Sequence, residues 1–230
     1  MTKSVTAACV LLLRDEGRLT LDEQVFHFVP QLKGLSPLTA DSPPITIRQL
    51  LTMSAGFVED SPWGDRQPAI SDDEFGAMLA RGTPFNRPPG IGFEYSNLSY
   101  AVLGRVVGRV AGEPLAEIAT RRIFLPLRME STFWDVADVP QARRAHGYRL
   151  AGEDWKEEDP LPHGAFAPMG GMWTTIHDFV RYVAFQLAAW PPRDDPDPGP
   201  LRWSSAREMQ QSVWLWPGPA APEPSQSVHG

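Results

Sequence analysis

Met1-Thr2-Lys3-Ser4-Val5-Thr6-Ala7-Ala8-Cys9-Val10-Leu11-Leu12-Leu13 opens the chain and decides how the rest is read. Val5, Ala8, Cys9, Leu12 and Leu13 recur at spacings of three and four, which places them on one face of a helix made for burial. Lys3 falls in the first turn of that helix. An amine there is costly unless something uses it or satisfies it. A second reading competes: a lysine followed by a short apolar run is the outline of a secretory signal peptide. Arg14-Asp15-Glu16 follow the run directly, with no Ala-x-Ala-like cleavage site, which favours the buried helix.

The chain has 230 residues, enough to bury a sizeable core in one domain or a large part of one. Acidic residues outnumber basic ones by 28 to 21, and the net charge of −7 argues against a nucleic-acid partner. No run approaches the roughly 18 apolar residues of a membrane span. The single cysteine, Cys9, lies on the apolar stripe, excludes an internal disulfide and reads as a small core residue. Proline, at 24 of 230, is about twice its average usage and collects toward the C-terminal end.

Working outward, Gly17 sits where a helix would end in a left-handed cap. Thr46 can cap a helix over Ile47 to Met53, with Ile47, Leu50 and Leu51 inward. Phe57 to Gln67, with Trp63-Gly64-Asp65-Arg66, reads as a loop. Asp72 and Asp73 open a helix to about Arg81 with Phe75, Met78 and Leu79 inward. After the turn-rich Asn86 to Gly92, Phe93-Glu94-Tyr95-Ser96-Asn97 leads into a buried helix through Val110. Pro114 to Ile123 forms another. Thr174 or Thr175 caps a helix with Phe179, Tyr182, Val183 and Leu187 inward, and Pro191 to Pro200 breaks it. Leu201 to Gln211 gives a last helix. The Pro-rich 212–230 has no periodicity that could pack. The domain is therefore expected over 1–211.

Tyr95 and Asn97 form the second chemical constellation. In an extended segment alternate side chains point to one side, so both can face a cleft while Ser96 turns away. A phenol so placed can exchange protons, and an amide can hold a substrate amide or a lysine amine. A buried tyrosine beside a capping asparagine would read the same way. Lys3 upstream favours the chemical reading.

These segments together resemble the serine β-lactamase and penicillin-binding-protein-like superfamily. Ser-x-x-Lys opens a buried helix there, stacking hydroxyl and amine one turn apart. Here Met1-Thr2-Lys3 stands, and the serine would be the residue before Met1. Pro89-Gly90-x-x-Phe93-x-Tyr95-Ser96-Asn97 resembles the Tyr-x-Asn element of class C β-lactamases and their esterase and peptidase relatives. Leu50 to Gly56 resembles a Leu-Leu-Thr-His-x-Ser-Gly stretch, with Met53 where His is common. Phe124 to Met129 resembles Phe-x-Pro-Leu-Gly-Met, with Arg128 in place of glycine. His146-Gly147-Tyr148 falls where relatives carry an Ala-x-Gly-Tyr strand, and Ala167 to Thr175 resembles a Pro-Ala-Gly-Gly-Leu-x-Ser-Thr loop lining the cleft.

The resemblance implies a chain that is mainly α: the helical portion of the α+β serine β-lactamase-like fold, with most of the antiparallel sheet missing. It implies Lys3, Tyr95 and Asn97 as catalytic residues, a small-molecule ester, amide or lactam as the acyl substrate, and no metal or organic cofactor. The third element of the family, a Lys- or His-x-Gly triplet on a strand, has no counterpart; His229-Gly230 lacks the middle residue. Ser4, Ser54 and Cys9 do not replace the missing serine, and the five histidines show no metal spacing. The chain as it stands is then expected to be inactive, with apolar helix faces exposed and open to self-association. The alternative is a noncatalytic interaction module that reuses the scaffold.

Overall fold

Thr2–Asp15 form α1, the helix around which the others assemble. The protein is described by a computed structural model over residues 1–35, 38–59, 69–197 and 199–214. Trp63 to Arg66, residues 215–230 and the His229-Gly230 pair lie outside the described residues. The expected stripe of α1 is buried, and so are Thr6, Val10 and Leu11. Burial runs around most of the helix because the helices over Asn97–Ala111, Leu115–Ala119, Ala167–Gly170 and Trp203–Glu208 all contact it. Its stop is the anticipated one. Gly17 takes φ +71°, the Gly17 amide donates to the Arg14 carbonyl at 2.8 Å and the Arg18 amide to the Leu13 carbonyl at 3.0 Å, a Schellman motif.

Two short 3₁₀ turns, Val25–His27 and Pro30–Gly34, lead to α2 (Ile47–Leu51), where Thr46 and Gln49 form a reciprocal capping box. The helix ends two residues earlier than the sequence suggests, because Met53 adopts φ +55° and the Ser54 amide closes on the Gln49 carbonyl at 2.8 Å. Leu51 is only partly buried. Ser71 caps α3 (Asp72–Ala80), which buries Phe75 and Leu79 and leaves Met78 partly exposed.

Ser96 caps α4 (Asn97–Ala111), the longest helix described, by accepting from the Ser99 amide. Gly104 on its buried face lets Pro168 press directly onto the helix: a Cβ at Gly104 would lie 2.2 Å from Pro168 Cγ. The helix expected over Pro114 to Ile123 is split into α5 (Leu115–Ala119) and a π-helical turn, Thr120–Phe124. Arg128, where the resemblance expects glycine, holds a left-handed φ of +56°.

The described residues contain one two-stranded antiparallel sheet, β1 (Gly147–Ala151) with β2 (Asp154–Glu158), in register from Gly147 opposite Glu158 to Ala151 opposite Asp154. Both strands are solvent-exposed along most of their length, so they contribute little to the core. A mainly helical chain with most of the sheet absent among the described residues is what the sequence implied.

The short α6 (Ala167–Gly170) precedes α7 (Ile176–Leu187), capped by Thr175. Here the inward face needs correction. Tyr182 is buried and Phe179 partly so, but Val183 and Leu187 are exposed; Asp178 and Phe185 are buried with Tyr182. Asp178 can go inside because its carboxylate accepts from the Ser131 amide at 2.6 Å and from the Thr132 hydroxyl at 3.0 Å. Ile176, Val180, Val183 and Leu187 are left as an apolar stripe facing solvent. The last helix, α8, spans Trp203–Glu208 and is shorter than the predicted Leu201 to Gln211.

Candidate active site

Three elements meet at one point: the first turn of α1, the N-terminus of α4 and the α6 turn. Lys3 stands in the first of these because α1 begins at Thr2. Tyr95 and Asn97 flank the capping Ser96, which is buried and held by its own helix, so the two side chains turn to the same side as the alternation predicts. Lys3 Nζ donates to Asn97 Oδ1 at 2.7 Å and to the Met169 carbonyl at 2.8 Å. The Tyr95 hydroxyl donates to the same Asn97 Oδ1 at 3.2 Å. Lys3 Nζ also lies over the Tyr95 ring, 5.1 Å from its centroid, and 5.8 Å from that of Tyr100. All three predicted site residues are therefore brought together, with a single amide oxygen shared by an amine and a phenol. That arrangement fixes the amine and the phenol side by side on one acceptor.

The third contributor, the Met169 carbonyl, escaped sequence reasoning. The α6 turn that carries it is fixed to α1 by the Thr6 hydroxyl, which donates to the Pro168 carbonyl at 2.7 Å, and by the Met172 amide, which donates to the Thr2 hydroxyl at 3.3 Å. The available signal was two threonines, four apart, Thr2 and Thr6, on a helix whose other buried residues are apolar. Met53, in the place where the resemblance expects His, sits behind the site: its sulfur accepts from the Ser96 amide at 3.3 Å.

The other candidate nucleophiles are engaged elsewhere. Ser4 Oγ and the Tyr182 hydroxyl are 2.8 Å apart, and that hydroxyl donates to the Ser4 carbonyl at 3.1 Å while Gln186 donates to it. Burial pushes the Tyr182 hydroxyl up to about 12, against the lowering effect of Ser4 and Gln186. Burial likewise raises the Cys9 thiol to about 12, more than Arg122 offsets. Ser54 is buried with its hydroxyl 2.9 Å from that of Thr52. Among the described residues no group of three His, Cys, Asp or Glu side chains is placed to hold a metal ion, and no helix is long and apolar enough to cross a membrane.

Residues 1–224 match the family model described as Beta-lactamase. Among curated proteins the chain is similar to Protein flp of Staphylococcus aureus (strain MW2), 29% identical over 190 residues, covering 81% of this chain and 37% of flp. The chain thus spans little more than a third of that relative's length. Among solved structures it resembles the octameric penicillin-binding protein homologue of Pyrococcus abyssi, with a TM-score of 0.74 and 23% identity over 91% of this chain and 47% of that one. It also resembles the D-stereospecific amidohydrolase from Streptomyces sp., with a TM-score of 0.72 and 23% identity over 94% of this chain and 65% of that one. These two likenesses concern the fold. With the family match extending from the first residue through all three elements of the site, the chain belongs to the beta-lactamase family, within the serine β-lactamase and penicillin-binding-protein-like superfamily.

Proposed function

We propose that this chain carries the lysine, tyrosine and asparagine of an acyl-serine hydrolase that acts on ester, amide or lactam carbonyls. The observation that supports this reading most is the convergence of Lys3 Nζ and the Tyr95 hydroxyl on Asn97 Oδ1. A serine placed directly before Met1 would stand three positions ahead of Lys3, one helical turn away. Its hydroxyl proton passes to the Lys3 amine as its oxygen attacks the substrate carbonyl. The tetrahedral adduct collapses, Tyr95 protonates the departing alkoxide or amine, and the proton taken up by Lys3 passes to the Tyr95 phenolate, which returns both groups to their starting forms. Asn97 holds the lysine and can orient a substrate amide. Water then repeats the attack, releasing the acid and restoring the serine. The Streptomyces structure is an amidohydrolase, which brings amides within the substrate range considered.

The test compares the chain as it stands with a version carrying serine immediately before Met1, using nitrocefin and p-nitrophenyl acetate. Turnover is expected only in the serine-bearing form, and Lys3→Ala should lower it by about 10²- to 10⁴-fold, the usual worth of a general base. Equal turnover with and without Lys3 would remove the lysine from the mechanism. Absence of turnover in both forms, with a stable oligomer, would favour the noncatalytic module, a reading suggested by the exposed stripe on α7.

A further inference from the structure

A cavity of about 530 Å³ lies between α1, the end of α2 and the segment that follows α8. Its apolar wall is built by Ala7, Leu11, Leu51, Met53, Phe93 and Met209. The charged residues that line it are already paired. Arg48 holds both carboxylate oxygens of Asp22, at 2.7 and 2.8 Å, and lies 4.0 Å from Glu208, which also pairs with Arg14. The hydroxyls are committed as well: Ser4 to Tyr182, Thr52 to the Arg48 carbonyl and Tyr100 to the Leu51 carbonyl. Burial raises the Tyr100 hydroxyl to about 12, so it remains a neutral donor on that carbonyl. A ligand entering this space therefore meets mostly hydrocarbon, and its size falls within the range of small-molecule sites.

Tyr100 borders both the cavity and the site described above: it is among the residues that line the cavity, and Lys3 Nζ lies 5.8 Å from its ring centroid. Met53 is shared in the same way, lining the cavity while its sulfur accepts from Ser96 at the start of α4. We propose that this cavity receives the apolar acyl chain of a substrate whose carbonyl is presented to Lys3, which makes the preferred substrates straight-chain acyl esters or amides. The proposal rests on the hydrolase reading and narrows it.

The test has two arms. In the first, the chain as it stands is isotope-labelled at its methionine methyls and titrated by NMR with acetate, butanoate, hexanoate, octanoate and decanoate below their micelle concentrations. The Met53 and Met209 signals are assigned with Met53→Leu and Met209→Leu. Both signals should shift, with affinity rising about fourfold for each methylene until the cavity is filled. Ala7→Phe should abolish the shifts; Ala7→Leu is a smaller fill for use if the larger one unfolds, as judged by circular dichroism. Shifts that ignore chain length, or survive a folded filled variant, overturn the proposal.

The second arm measures p-nitrophenyl esters of the same acids on the serine-bearing chain. KM should fall with chain length, and filling at Ala7 should bring the decanoate-to-acetate preference toward one. Lys3-dependent turnover without a chain-length trend defeats the acyl cavity and leaves the hydrolase reading standing. Chain-length-dependent methyl shifts without Lys3-dependent turnover defeat the hydrolase reading, and the assignment of the cavity to a substrate falls with it.

Discussion

Two glycines inside α4, four residues apart, should respond to the same substitution with opposite signs. Replacing a helix-interior glycine by alanine contributes about 0.5–1 kcal/mol through helix propensity and lost freedom of the unfolded chain. At Gly108 nothing opposes that gain, because the new Cβ would meet only the Glu113 carbonyl oxygen, at 3.6 Å. At Gly104 the new Cβ would lie 2.2 Å from Pro168 Cγ and 2.8 Å from Pro168 Cβ. Carbon atoms rest about 3.5–4.0 Å apart, so the proline must retreat by more than about 1 Å. Overpacking of this kind costs about 1–3 kcal/mol, which outweighs the propensity gain. Gly104→Ala should therefore lose about 1–2 kcal/mol while Gly108→Ala gains up to about 1. With about 2–4 °C of Tm per kcal/mol for a chain of this size, thermal unfolding should separate the two variants by roughly 3–12 °C. Displacement of Pro168 also draws the Met169 carbonyl away from Lys3, so a structure of Gly104→Ala should show that contact lengthened. Equal Tm values for the two variants would refute the claim that α6 is seated on α4 through Gly104.

The remaining predictions draw on strain, burial and exposure. Arg128→Gly should raise the urea midpoint, with the slope unchanged, by an amount equivalent to about 1 kcal/mol, because it relieves a left-handed φ of +56° and keeps the carbonyl that accepts from Arg181; an unchanged midpoint would show that the position carries no strain. Cys9, Tyr100 and Tyr182 are each held to about 12 by burial, against ordinary values of 9.0 for the thiol and 10.0 for the phenols. The unfolded chain releases those protons first, so it binds fewer of them. Stability is then full below about pH 9 and falls through about pH 12, by up to about 4 kcal/mol per unit where all three contribute, and urea titrations across that window that show constant stability would contradict the burial. Val180→Lys with Leu187→Lys should lower any self-association seen by sedimentation velocity at high concentration, whereas unchanged association would move the contact away from the α7 stripe.

Features fixed by neighbours in the chain were legible in the sequence. The Gly17 stop, the Thr46 cap and the apolar face of α1 each depend on residues within a turn or two, so local rules reach them. The face of α7 was legible only in part. Tyr182 goes inside and Phe179 partly so, as its periodicity suggests, but Asp178 is buried in place of Val183 and Leu187, its carboxylate accepting from the Ser131 amide and the Thr132 hydroxyl and pairing with Arg181 at 3.2 Å. The charged run of Asp154 to Glu158 gave no alternation to mark β2, since neither face of the hairpin packs on a core. That Lys3, Tyr95 and Asn97 come together was readable through the resemblance of their motifs, and the extended geometry before α4 explained why Tyr95 and Asn97 share a side. The Met169 carbonyl was missed, because a backbone acceptor leaves no mark of its own in the sequence and only Thr2 and Thr6 hinted at the turn that carries it.

The central claim, that Lys3 and Tyr95 joined through Asn97 form one acyl-transfer site, is tested most directly by covalent capture. A chain bearing serine ahead of Met1 is treated with a fluorophosphonate and its intact mass followed with time. One adduct should form at that serine, and Lys3→Ala and Asn97→Ala should each slow its appearance by about 100-fold or more. Labelling at the same rate in all three proteins would contradict the account.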